Sequence, residues 1–417
     1  MHEFWDSPEG KFTQFHRRRS EALDVALALE PPTKKTRRGT QEKARAALAS
    51  AFQSDVRARW ARELTAWPKL QAAIALDIVL FSSARNGARV DSICKWLLDE
   101  LSGHVYSDDR QVKLLYAKVA RSRSRKKVDA PAENPWDAGF DFDWPEPDSD
   151  KEPALYITAQ TRANVFKDLR AVSDLEERWD PFEKEHGVRH RDPQEFDWEL
   201  DELLDYQSMF ANDSEEGRLQ HQLVTNRIDY ENQSHQQHLV DMVFSSLLTD
   251  MPVDRFGVWS RVRDRLQYSP YMFNLGVLPT YGGSHEFQER LRATLRDRRE
   301  SYPGLFPMRA RSGVTMILFE EQRGGKDLDN LIRTILPDVL EILRPQQHDL
   351  PGWVADDVNP DDAVADIPFI EVAAYPAHLT DMPPGSVIFG LSSADRYGSW
   401  WSRAIDHLEL VLEDEQE

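Results

Sequence analysis

The residues with the clearest chemical potential are Asp327-Leu328-Asp329-Asn330, which follow Gly324-Gly325-Lys326 and open an apolar run. Two carboxylates and an amide at the mouth of a helix offer converging oxygen ligands. That is what a hard divalent cation takes. Left without a cation, neighbouring carboxylates repel and at least one becomes a weaker acid. The same residues also suit helix capping, in which Asp accepts a backbone N–H and favours the positive end of the helix dipole. A second acidic pair separates the two readings. Asp108-Asp109 stands before Gln111-Val112, and Asp356-Asp357 stands before Val358. Such a pair, returning at the start of a strand beside a helix-mouth aspartate, completes a three-carboxylate site. The metal candidates are therefore Asp327, Asp329, Asp356 and Asp357, with Asp361, Asp362 or Asp366 as alternative third ligands. Asp91, Lys95 and Asp109 take the matching places earlier in the chain. A cation so held neutralises charge on a phosphodiester and activates water.

These residues occur in two similar neighbourhoods, and internal similarity of this kind bears on the whole fold. Phe52-Gln53 and Phe287-Gln288 each precede an Arg-rich stretch and an apolar run (Ile74 to Phe81, Val314 to Phe319). The two pairs stand about 39 and about 42 residues before Asp91 and Asp329. The first copy predicts helix 53–65, strand 71–82, helix 91–101 and strand 111–119. The second predicts helix 285–300, strand 314–321, helix 329–343, strand 367–374 and a further strand at 386–390, with 408–412 a strand or a helical turn. The order is a mixed α/β (α+β) one. Four regions are expected: a basic arm over 1–47, a first domain over 48–127, an acidic linker and helical insertion over 128–267, and a second domain with a C-terminal extension over 268–417. Within the insertion, 160–178 and 217–250 read as helical.

The net charge of −20 by itself opposes a nucleic-acid ligand, but its distribution does not. Residues 129–216 hold 26 acidic and 8 basic side chains, so nearly the whole deficit sits in the middle third. Elsewhere basic residues cluster, and such patches neutralise phosphates locally. Lys118, Arg121, Arg123, Arg125, Arg292, Arg296, Arg299 and Arg333 are the DNA-binding candidates. The acidic middle, with Trp136, Phe140, Phe142 and Trp144 interleaved, suits docking to protein partners. Cys94 is the only cysteine, which excludes an intrachain disulfide. The longest apolar run is broken by Asp77 and is too short to span a bilayer, so the chain is expected to be cytoplasmic, without a membrane partner.

Val90-Asp91-Ser92-Ile93-Cys94-Lys95, then Leu98-Asp99-Glu100-Leu101 and Asp108-Asp109-Arg110-Gln111-Val112, resembles the core of the RusA-type Holliday junction resolvases. Their pattern is Asp-x-Asp-Asn, a Lys three residues on, Leu-Asp-Ala-Leu, and Asp-Asp-x-Gln-Val. Asp327-Leu328-Asp329-Asn330 resembles its first half more closely. The resemblance implies two divergent RusA-like mixed-sheet domains fused in tandem as a pseudo-dimer. It also implies Mg²⁺ (or Mn²⁺) dependence, cleavage of branched or duplex DNA in a bacterial, nucleoid-associated setting, and a chain that works as a monomer or a homodimer.

Each copy departs from the pattern. The first has Arg89 and Ser92 where an aspartate and the asparagine belong, and Arg89 is expected to pair with Asp91. The second has Arg333 in place of the lysine. Three functions follow. The first is a Mg²⁺-dependent structure-specific endonuclease with the second copy active. The second is a catalytically silent DNA-binding or scaffolding subunit of a phage-related or defence assembly. The third has the acidic segment acting as a self-inhibitory DNA mimic.

Overall fold

The computed structural model describes residues 2–5, 7–32, 36–63, 72–82, 89–121, 153–175, 272–279, 285–302, 306, 312–321, 327–343, 367–379, 382–393 and 398–414. Two runs of elements follow one another. The first contains α1 (His2–Trp5), α2 (Pro8–Ser20), β1 (Leu23–Leu27), α3 (Arg38–Glu63), β2 (Ile74–Ser82), α4 (Val90–Leu101), β3 (Val112–Arg121), β4 (Ala154–Thr161) and α5 (Arg162–Leu175). The second contains β5 (Met272–Val277), α6 (His285–Ser301), β6 (Ser312–Glu320), α7 (Leu328–Leu343), β7 (Phe369–Pro376), β8 (Ser386–Ser393) and α8 (Trp400–Asp414).

All eight strands join one mixed sheet in the order β1-β4-β2-β3-β7-β6-β8-β5. The order is palindromic about the β3–β7 seam. In each half the second and third strands are parallel and the fourth returns antiparallel between the first and second. The halves meet where Leu114–Lys118 of β3 runs antiparallel to Phe369–Ala373 of β7. The strands beside this seam read as nearly unbroken apolar runs because helices cover both faces. α4 and α7 lie side by side over β3 and β7, while α5, α8 and α2 pack together on the other face. One contiguous core runs through both halves, from Leu23 and Leu76 to Phe389 and Trp401.

Several expectations change here. The two mixed-sheet domains share one continuous sheet. The stretch expected to be a basic arm carries α2 and β1, whose Phe15 and Leu23 are fully buried. Ser7 caps α2 by accepting the Gly10 N–H at 3.2 Å, and Arg17, Arg18 and Arg19 fill its last turn, where the helix dipole favours cations. β4, from the stretch assigned to linker and insertion, is a sheet strand, while α5 is the helix expected over 160–178 and packs with this sheet. The stretch 408–412 belongs to α8, whose buried Trp401, Ile405, Leu408 and Leu412 recur at helical spacing. Residues 128–152 and the helical expectation at 217–250 lie outside the described residues. No described helix is long and apolar enough to cross a membrane.

The halves also exchange side chains on the α5/α8 face. Phe166 of α5 stacks on Tyr375 of β7, ring centroids 5.9 Å apart, and Arg162 donates from Nη1 to the Ala374 carbonyl at 3.2 Å. Reciprocally, the buried N-cap of α8, Ser399, donates from Oγ to Asp77 Oδ2 of β2 at 2.9 Å, and Ser402 Oγ contacts the same oxygen. Asp77 Oδ1 has no hydrogen-bond partner among the described residues. Burial, opposed by the two serines and reinforced by the Glu371 charge, pushes the Asp77 carboxyl up to about 7. The folded state therefore holds this proton more tightly than the unfolded chain. The Asp77 contribution to stability is complete in acid and is lost as pH rises from the ordinary carboxyl value to about 7. In chemical denaturation against pH, Asp77→Asn is expected to remove that decline, on the order of 4 kcal/mol relative to wild type.

Candidate metal centre

α4 ends at Leu101 and the chain reverses over Ser102–Tyr106. Gly103 takes φ of 84°, a left-handed conformation that glycine adopts without strain, and its N–H donates to the Tyr106 carbonyl at 2.6 Å. The buried Tyr106 hydroxyl donates back to the Leu98 carbonyl at 2.7 Å, and His104 stacks on Phe52 of α3. The loop is thus fastened to two helices before it delivers Asp108 and Asp109.

Gln111 fixes the acidic pair itself. Its Oε1 accepts from Ser107 N at 2.8 Å, Ser107 Oγ at 2.8 Å and Asp108 N at 3.0 Å, and its Nε2 donates to the Ala72 carbonyl at 2.9 Å. Asp108 Oδ1 accepts the Arg110 N–H at 2.9 Å and closes a capping box over the 3-10 turn Asp109–Gln111. The glutamine of the Asp-Asp-x-Gln-Val pattern thus holds the turn in place.

Because β3 and β7 run antiparallel, this turn arrives beside the N-terminus of α7. Asp108, Asp109 and Asp327 each present an oxygen within 4.8 Å of the others, close enough to share a metal ion. Asn330 Nδ2 donates to Asp327 Oδ2 at 3.0 Å and orients that carboxylate. Asp329, only 3% exposed, faces the Lys95 ammonium of α4 at 3.1 Å through Oδ2. This oxygen has no other described polar partner, and the contact is an ion pair without hydrogen-bond alignment. Lys95 also donates to Asp99 Oδ1 at 2.9 Å. Arg110 Nε lies 3.2 Å from Asp327 Oδ1.

Partial burial, the charge of Asp327 and the neighbouring Asp108 and Asp329 push Asp109 up to about 6. Asp108 is held below the usual carboxylate range by the Arg110 N–H. A centre in which one acid is weakened by other acids suits a hard cation, whose charge removes the repulsion. The donor set is all oxygen, which fits Mg²⁺ or Mn²⁺ better than a soft metal.

Among the described residues the grouping crosses between the copies, while the expected grouping of Asp327 with Asp356 and Asp357 falls on residues outside them. Asp109 of the first half joins Asp327 of the second, and Lys95 joins Asp329, so the centre spans the seam. Asp91 is paired with Arg89 Nε at 3.0 Å at the start of α4, as its neighbour's identity implied. Asp356, Asp357, Asp361, Asp362, Asp366, Arg123 and Arg125 lie outside the described residues, as does the Arg121 side chain. Asp108 was legible as half of a motif, but its place beside Asp327 depends on strand pairing that no local pattern encodes.

Two of the DNA-binding candidates are engaged within the fold. Arg292 pairs with Asp338 at 2.8 Å, and Arg299 donates from Nη1 to the Ile342 carbonyl at 2.6 Å, tying α6 to α7. Arg296 and Arg333 are exposed, and Lys118 lies toward the far end of β3 from the acidic turn. Cys94 is buried in α4, where desolvation and the nearby carboxylates raise its thiol far above the ordinary value. It is a packing residue. Compared with protein-family models, curated proteins and solved structures, the chain matches none of them.

Mn²⁺ affinity, followed by electron paramagnetic resonance, is expected to rise about tenfold per pH unit below 6 and to level off above it, as Asp109 ionises. Asp109→Asn should flatten that profile. Gln111→Met, which removes every polar contact of the turn anchor, should weaken Mn²⁺ binding on the order of tenfold.

Proposed function

We propose that this chain is a divalent-cation-dependent endonuclease for branched DNA, formed as a fused pseudo-dimer of two RusA-like halves, with one competent centre at the N-terminus of α7. The observation that carries the reading is the meeting of Asp108 and Asp109 with Asp327 across the seam. The palindromic strand order supports the pseudo-dimer. The motif resemblance supports the substrate class.

Asp108, Asp109 and Asp327 would hold the cation. When bound there, it supplies charge neutralisation at the phosphodiester and acidifies water toward neutral pH. Asn330 keeps Asp327 turned toward the centre. With the cation bound, the repulsion that raises Asp109 would be relieved, so this carboxylate would serve as an ionised ligand. Lys95, held by Asp99 and Asp329, places a positive charge beside the centre and balances Asp329 at the helix mouth. Attack of the water on phosphorus would form one P–O bond as the bond to the leaving oxygen breaks, with the attacking water losing a proton to solvent and the leaving oxygen taking one from solvent.

The second potential centre carries Arg89 where an acid is needed, with its guanidinium on Asp91. That pair favours a single active centre, and it equally supports the alternative of a silent DNA-binding or scaffolding subunit. The acidic middle remains the proposed contact for protein partners.

Labelled four-way junction, flap and linear duplex DNA incubated with Mg²⁺ decide between the two. Cleavage is expected for the intact chain, with a loss of at least about 100-fold in Asp109→Asn and in Asp327→Asn and little change in Asp91→Asn. Intact DNA throughout, with retained binding, would establish the silent subunit.

A further inference from the structure

Arg110 occupies an unusual position in this centre. Its backbone is fixed between Asp109 and Gln111, with its own N–H on Asp108 Oδ1 at 2.9 Å, so its side chain is rooted beside the acidic turn. The guanidinium crosses the seam to Asp327 Oδ1 at 3.2 Å, while its side chain stays 62% exposed. Among the described residues Asp327 is its only ion-pair partner. Lys95, the other cation at the centre, is gripped by both Asp99 at 2.9 Å and Asp329 at 3.1 Å.

The two cations therefore differ in how readily they can leave. An exposed single pair such as Arg110–Asp327 is weak and is screened by salt. A divalent ion taking an oxygen of Asp327 would meet the guanidinium on the same carboxylate, and the two positive charges repel. Arg110 must then turn away, yet its backbone keeps it within a side chain's length of the ion. A free guanidinium there presents a planar fork suited to two oxygens of a phosphate.

We propose that Arg110 is a displaceable counter-charge, neutralising Asp327 in the cation-free protein and turning to a backbone phosphate of the nucleic acid when a divalent cation takes Asp327. The proposal rests on the cation-dependent reading of the centre. It makes cation and nucleic acid bind cooperatively, because the ion releases the group that grips the phosphate.

Removing the guanidinium has opposite effects on the two ligands, which a merely structural residue would not produce. Mn²⁺ binding to the full chain, measured without DNA, is expected to tighten several-fold in Arg110→Gln, since the competing charge is gone. Binding of labelled four-way-junction DNA in Ca²⁺ is expected to weaken several-fold. The slope of log affinity against log salt should fall by about one. Arg110→Lys, which keeps the charge, should return Mn²⁺ affinity toward wild type and restore only part of the junction affinity. Unchanged or weaker Mn²⁺ binding in Arg110→Gln, or unchanged junction affinity, overturns the proposal while leaving the centre intact. Absence of Mn²⁺ binding in the wild type overturns both readings together.

Discussion

The short antiparallel ladder between β3 and β7 is the interaction on which the rest depends. It joins two four-stranded halves into one eight-stranded sheet and removes two sheet edges that would otherwise expose unpaired backbone groups. It also brings α4 and the turn before β3 beside the start of α7, and from these adjacencies come both charged contacts across the candidate metal centre, Lys95–Asp329 and Arg110–Asp327. On the reverse face the same ladder places Asp77, Tyr116, Glu371 and Thr315 in register across four strands. That polar row lies within an apolar layer, and the serines of α8 fasten onto its end.

The electrostatics on the two faces of the sheet follow different rules. Desolvation dominates Asp77, which is enclosed by α8 and has one oxygen without a hydrogen-bond partner among the described residues. At Asp109 desolvation is joined by three neighbouring carboxylates, a repulsion that a cation can relieve. A raised acid of the first kind marks a cost of packing. One of the second kind, partly exposed and beside other carboxylate oxygens, marks a candidate binding site.

Much of the local structure was legible in the sequence. The helix at 285–301 matches the expected 285–300, and α7 and β6 begin within two residues of their expected starts, because apolar periodicity and the helix-mouth aspartate fix those boundaries. α3 begins fifteen residues before the expected 53, since its Arg- and Lys-rich first turns carry little apolar periodicity. β1 was missed for a related reason: Leu-Asp-Val-Ala-Leu is five residues long and its partner β4 is more than a hundred residues away. The acidic motifs were each visible. Their regrouping was not, because Asp109 and Asp327 are brought together by a strand pairing between residues about 250 apart in the chain.

The order of the strands has a consequence for how the chain reaches its native state. Each half can complete its own pairings from contiguous sequence, 23–161 for one and 272–393 for the other, and among the described strands only the β3–β7 ladder requires both. Non-local pairings close late because the loop entropy is lost before the contacts form. This order predicts a route in which the two halves assemble separately and dock edge to edge, with α5 and α8 crossing onto the opposite halves last. During synthesis the first half waits with β3 as an open edge, vulnerable to pairing with another nascent copy until β7 emerges.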